Sequence, residues 1–223
     1  MKKLIARAIA ELKTFEDRTK FFGTIQSLKL PLTLSTMKRI VWMLAVVACV
    51  YLFIASVISR SYAISASGNL AWGLLVFVMF IYPVSTILPR TKIISQLVLL
   101  RKETGILVFV FVLLHAFFFL WKINGWGDIP FHMFKNFSLS TGSLAFLIMI
   151  PLTLTSSSWA MKAMGYKAWK ILHSTAYLVF VLTALHIATS EWKSEGELEG
   201  GPILLLLIYL GLRWFLWWKK KQK

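Results

Sequence analysis

The stretch WKILHSTAYLVFVLTALHI, residues 169–187, decides how the rest of the chain is read. Its one charged residue, Lys170, lies at its start, and the remainder is apolar apart from a few hydroxyls and two histidines. At 1.5 Å per helical residue it covers ~28 Å, close to the ~30 Å hydrocarbon core of a bilayer. His173 and His186 lie thirteen residues apart inside it, and His115 lies deep in a second such run, residues 105–121. Imidazole is costly in hydrocarbon without a partner, so intramembrane histidines are functional candidates by default.

Five further apolar runs share this character. They are residues 40–58, 70–88, 105–121, 139–154 and 202–218. With 58% hydrophobic residues over 223 positions, the composition fits an all-α integral membrane protein, a six-transmembrane-helix bundle. The formal charge of +16 would point to nucleic acid in a soluble protein. Here the basic residues flank apolar runs, so they are read as topology, with the lipid bilayer and no nucleic acid as partner. Alternate connections hold 21 of the 25 Lys and Arg, leaving Arg60, Lys122, Lys135 and Lys193 on the other face beside Glu191, Glu195, Glu197 and Glu199. That asymmetry predicts both termini in the cytoplasm. Trp42, Trp159, Trp169, Trp217 and Trp218 fall at the expected inner boundary, and Trp72, Trp121 and Trp192 at the outer one.

Residues 40–218 are therefore read as one membrane domain, 219–223 as a basic cytoplasmic tail and 1–39 as a basic leader that the first span keeps attached. Within the leader Leu4, Ile5, Ala8, Ile9 and Leu12 recur at helical spacing, which fits either an amphipathic helix on the inner leaflet or a solvated segment. The single cysteine, Cys49, leaves no internal disulfide and no cysteine-based metal motif.

With this topology the third and fifth spans run in the same direction, so His115 and His186 lie at comparable depth in the outer half. His173 lies ~20 Å away, near the inner face. Two histidines from neighbouring helices can fill both axial positions of one haem, which favours electron transfer because no open position remains. The competing reading is that each histidine forms an interhelical hydrogen bond to Ser, Thr or a carbonyl. Thirteen residues also leave His173 and His186 ~140° apart on an ideal helix, so either the fifth span is distorted or the two rings serve different flanks.

Three segments carry a family resemblance. Arg101, Lys102, Glu103, Thr104 and Gly105, leading to Leu113, Leu114 and His115, resemble the RR-x-L-G to L-L-H run of MsrQ proteins. These are the haem-binding membrane subunits of bacterial protein-methionine-sulfoxide reductase, within the ferric-reductase-like transmembrane superfamily. Thr141, Gly142, Pro151, Leu152, Thr155 and Ser156 resemble that family's T-G to P-L-x-x-T-S span, and Gly165, Trp169, Leu172, His173, Tyr177, Leu185 and His186 its L-G, W, L-H, Y and L-H segment.

The resemblance implies haem b held by His115 and His186, in a multi-pass protein of the bacterial inner membrane. It also implies a periplasmic, molybdenum-containing methionine sulfoxide reductase subunit as electron acceptor. In the wider superfamily each of two helices carries two histidines, but the position fourteen before His115 is Arg101, which cannot act as a neutral nitrogen ligand. A second haem, on His173, therefore has no evident second ligand. Arg101 is read either as pairing with a haem propionate or other anion, or as a topogenic charge.

Residues 1–223 contain no phosphate-binding glycine loop and no nucleophile elbow. Electrons are accordingly expected from membrane quinol or a separate flavoprotein, with quinone or FMN as additional cofactors. The alternatives are a stand-alone ferric or metal reductase and a non-redox membrane scaffold.

Overall fold

The computed structural model describes residues 33–88, 91–123, 136–190 and 200–222. The amphipathic pattern at residues 4–12, the acidic cluster at 191–199 and His132, which the sequence reads as a solvated loop histidine and not as a ligand, lie outside them. Among the described residues the ordered elements are all helices. They are α1 (Leu34–Ile58), α2 (Arg60–Ile87), α3 (Lys92–Leu99), α4 (Arg101–Ile123), α5 (Phe137–Leu154), α6 (Ser158–Met164), α7 (Tyr166–Ser174), α8 (Ala176–Ala188) and α9 (Gly200–Lys221). Six spans are long and apolar enough to cross a bilayer: α1, α2, α4, α5, α9 and the composite α7–α8 over Tyr166–Ala188. The chain is a multi-pass membrane protein.

Local chemistry sets the helix ends. Thr33 caps α1 by accepting the Thr36 N–H through its hydroxyl, and Asn136 Oδ1 accepts the Leu139 N–H at the start of α5. Ser59 both ends α1 and caps α2, so the second span begins at Arg60, ten residues before the apolar run at 70. That polar first section earns its place by packing. Ala63, Ser67 and Ala71 recur every fourth residue and are buried, letting α2 lie close against α4, its most extensive partner. Gly165, with φ of 78°, joins α6 to α7 in a backbone conformation that side chains with a Cβ disfavour.

Two apolar clusters fill the interior. Ala45, Leu52, Ala63, Ile64, Leu107, Phe111 and Phe118 join α1, α2 and α4. Leu75, Met79, Val108, Ala145, Met149, Val179, Phe180 and Tyr209 join α2, α4, α5, α8 and α9. Large apolar side chains such as Val57 and Ile58, more than 80% exposed, face outward, as lipid contact requires.

The cations that the sequence assigns to opposite faces lie at opposite ends of α4. Lys38 Nζ pairs with Glu103 at 2.6 Å in its first turn. At the far end Arg60 stacks over Trp121 with 4.7 Å to the ring centroid, and Lys122 donates to Ser61 Oγ at 2.9 Å.

The fifth span is broken at Thr175. Its N–H and hydroxyl both turn back to the Leu172 carbonyl, at 3.0 and 2.7 Å, a tight i to i−3 closure that separates α7 from α8. On either side of this break the two histidines contact α5 or the residue following it. His173 meets Thr155 and His186 meets Ser138.

Candidate haem site

His115 on α4 and His186 on α8 come together, their ring centroids 6.2 Å apart and their planes at 83°. Each is anchored through Nδ1. His115 Nδ1 lies 2.9 Å from the Ile64 carbonyl of α2, and His186 Nδ1 lies 2.8 Å from the Ser138 carbonyl of α5. A carbonyl oxygen only accepts, so both Nδ1 atoms carry the proton and both Nε2 atoms keep the lone pair. Neither Nε2 has a hydrogen-bond partner among the described residues.

The same local device holds both rings. The Ile64 carbonyl also accepts from Ser67 Oγ at 3.0 Å, and the Ser138 carbonyl from Thr141 Oγ1 at 2.9 Å. Immediately after each hydroxyl residue comes a glycine, Gly68 or Gly142. A Cβ on Gly68 would lie 3.0 Å from His115 Nδ1, and one on Gly142 only 2.7 Å from His186 Nδ1. In a helix the residue four after a carbonyl stands beside it, so glycine there opens the approach that an imidazole needs. Carbonyl at i, hydroxyl at i+3 and glycine at i+4 thus form a cradle that occurs twice. Ser138 adds a third bond, its hydroxyl donating to the His186 carbonyl at 3.0 Å, one of the last four carbonyls of α8.

These residues suit haem. A neutral imidazole whose Nδ1–H is held by a carbonyl is the usual state of a metal-ligating histidine, with its orientation and basicity set by that bond. Two imidazoles alone do not make a bare-ion site, and among the described residues no three His, Cys, Asp or Glu side chains gather. The donor set fits a metal that brings its own in-plane ligands.

His173 and Arg101 stand apart from this pair. His173 Nε2 is engaged by Thr155 Oγ1 at 3.0 Å, and Trp169 stacks on the ring at 4.2 Å while donating its indole N–H to the Thr155 carbonyl. Arg101, at the start of α4, lies with Cζ 5.8 Å from the Tyr82 ring centroid, and its buried Nε has no hydrogen-bond partner among the described residues. Among the described residues no hydrogen bond joins Arg101 to His173. Of the sequence candidates, His115 and His186 therefore meet, and His173 and Arg101 occupy separate surroundings.

A sequence model of the family described as "Ferric reductase like transmembrane component" matches residues 67–184, slightly more than half of the chain. The chain belongs to this family. Within it the protein is of the MsrQ type. It is 31% identical over 147 residues to the Protein-methionine-sulfoxide reductase heme-binding subunit MsrQ of Bordetella parapertussis, covering 60% of this chain and 68% of that one. It is 34% identical over 119 residues to the protein of that name from Azospira oryzae, covering 51% and 50%. It is also 31% identical over 126 residues to Magnetosome protein MamZ of Magnetospirillum gryphiswaldense, covering 54% of this chain and 19% of that protein. The chain thus spans about a fifth of the magnetosome relative and half of the Azospira one. The matched region contains His115, His173 and both glycines of the cradles, and it ends two residues before His186.

Residue reading alone missed Ile64, Ser67, Gly68 and Ser138, and gave Thr141 and Gly142 no role. The available signal was a hydroxyl–glycine pair, Ser67–Gly68 just before one apolar run and Thr141–Gly142 inside another, a pattern that Thr104–Gly105 shares without forming a cradle.

Proposed function

We propose that this protein is a haem b electron carrier of the bacterial inner membrane. It passes electrons from quinol or a cytoplasmic flavoprotein to a periplasmic acceptor, the catalytic subunit of a methionine sulfoxide reductase that contains molybdenum. The observation that carries the reading is the neighbouring pair of imidazoles, each with Nδ1 on a carbonyl and Nε2 without a hydrogen-bond partner among the described residues. His115 and His186 would hold the haem iron through Nε2, and the cradles on α2 and α5 fix their tautomers. When bound, the haem supplies one-electron chemistry, and two strong axial ligands restrict it to electron transfer. The names of the MsrQ relatives support the acceptor.

By the charge asymmetry, the Lys38 and Arg101 end faces the cytoplasm with both termini, and residues 40–218 form the membrane domain between a basic leader and a basic tail. The His115–His186 pair then lies in the outer half, ~9 Å along α4 from Trp121, a position suited to delivery outward. His173 is the place for a second haem, with Thr155 yielding Nε2 on binding. Arg101, whose Nε has no hydrogen-bond partner among the described residues, would hold a propionate or another anion at that end. Arg101→Ala is accordingly expected to leave the His115–His186 haem in place, read as an unchanged haem b absorption band. Loss of that haem would mean Arg101 is misplaced in this account.

The functional test is reoxidation. Dithionite-reduced protein in liposomes should be reoxidised rapidly by a methionine sulfoxide reductase subunit together with a sulfoxide substrate, and slowly by chelated ferric iron. The family description favours one other reading, a stand-alone ferric reductase, and rapid reoxidation by chelated iron alone would select it.

A further inference from the structure

The two carbonyls that hold the imidazoles are heavily used. Ile64 and Ser138 lie within α2 and α5, so each carbonyl is the regular acceptor for the backbone N–H four residues on, that of Gly68 or Gly142. The same oxygens take the ring Nδ1–H, at 2.9 Å for His115 and 2.8 Å for His186. A hydroxyl is the third donor, Ser67 Oγ at 3.0 Å and Thr141 Oγ1 at 2.9 Å. A carbonyl oxygen has two lone pairs, so three donors compete for each.

Both hydroxyl residues are buried, where neighbouring hydrogen bonds polarise one another most. Each hydroxyl also reaches the carbonyl one residue earlier, Ala63 at 2.7 Å and Phe137 at 3.0 Å. Its single proton is therefore shared, for Ser67 in favour of Ala63 and for Thr141 about equally. An imidazole whose N–H meets a strong acceptor carries more electron density, and its other nitrogen donates more strongly to a metal. Stronger donation favours the higher oxidation state of the metal. A hydroxyl on the same carbonyl draws density from the oxygen, weakens its hold on Nδ1–H and acts in the opposite sense.

We propose that Ser67 and Thr141 set the redox potential of this protein: by sharing the Ile64 and Ser138 carbonyls with His115 and His186, their hydroxyls raise the midpoint potential of the haem that those rings bind. They act through the rings and are positioning residues, with Thr141 the stronger of the two because less of its proton is committed elsewhere. The inference rests on the electron-carrier reading above. It concerns the one-electron Fe(III)/Fe(II) couple alone, and both Nδ1 protons stay in place in either oxidation state. Hydrogen bonding around the ligands is one of the levers by which a protein tunes such a couple.

Equilibrium redox titration of the purified full chain in liposomes, read at the haem b band, tests it. Thr141→Val keeps the side-chain shape and deletes the hydroxyl. At fixed ambient potential it should shift the Fe(III)/Fe(II) ratio about threefold toward Fe(III), a fall of ~28 mV at about 59 mV per tenfold for one electron. Ser67→Ala should give about twofold, ~18 mV, and the double variant about sixfold, ~46 mV, because the hydroxyls act on different rings. Thr141→Ser restores the hydroxyl and should return the parent value. Ser56→Ala removes a buried hydroxyl that bonds the Phe53 carbonyl at 2.7 Å, a carbonyl that no histidine shares among the described residues, and should keep it too. The potential is read from bound haem at any occupancy, so weaker binding does not mimic the effect. A ring that merely came loose would lose its carbonyl and move the potential upward. If Thr141→Val binds no haem, the sign of the Ser67→Ala shift decides. A potential at or above the parent's in the hydroxyl deletions, or an equal fall in Ser56→Ala, overturns the inference and leaves the haem reading standing, whereas a parent without haem b bands overturns both.

Discussion

His186→Ala and His115→Ala are each expected to yield folded membrane protein that has lost the haem b absorption of the parent. Either change removes one of two axial nitrogens, and the remaining imidazole cannot compensate because its Nδ1 is committed to a carbonyl. Even changes in groups that merely support a ligand cost roughly 10–100-fold in affinity, so removal of the ligand itself should reduce haem content by more than that. His186→Gln and His115→Gln sharpen the result. A glutamine side-chain amide can still donate to the Ser138 or Ile64 carbonyl, so a scaffold whose histidines only join helices would tolerate it, at a cost near the ~1 kcal/mol of one hydrogen bond. The carrier described here should lose haem with glutamine as with alanine. Normal haem content in both alanine variants would refute the pairing.

Gly142→Ala is the second change with a large expected effect. In a helix interior alanine is favoured over glycine by ~1 kcal/mol, so propensity alone predicts stabilisation. At this position the new methyl would stand 2.7 Å from His186 Nδ1 and 2.9 Å from Cε1, too close for the ring to remain. The imidazole must swing away from the Ser138 carbonyl, losing the bond that fixes its tautomer and orientation. Haem content is expected to fall several-fold. Gly68→Ala, with contacts of 3.0 and 3.3 Å to His115, should act in the same direction more weakly. Gly73→Ala and Gly105→Ala meet nothing within 4 Å and should retain the haem. Equal haem content across all four variants, measured by the pyridine haemochrome method, would show that the cradles do not position the rings.

The two glycines also mark where the sequence stops being legible. Six spans could be read because hydropathy over about 20 residues is a property of the chain itself, and equal depth of His115 and His186 follows from helical rise. The cradles could not be read, because their acceptors are backbone carbonyls that every residue carries, and only packing selects Ile64 and Ser138. Ile64 was hidden further by the polar character of residues 60–69, which read as a connection but form the first turns of α2, where small side chains pack on α4. The ~140° conflict between His173 and His186 assumed one continuous helix. The span breaks instead where Thr175 closes on Leu172, and nothing in the hydropathy of residues 169–187 marks that break. The Lys38–Glu103 pair was equally hidden, because Lys38 counts in sequence only as one basic residue of a leader.

The most direct measurement is a reduced-minus-oxidised absorption spectrum of the purified protein expressed with ample haem. The account predicts haem b bands, present in the parent and in Arg101→Ala, and absent from His115→Ala and His186→Ala. A parent protein without a haem b signature would contradict it.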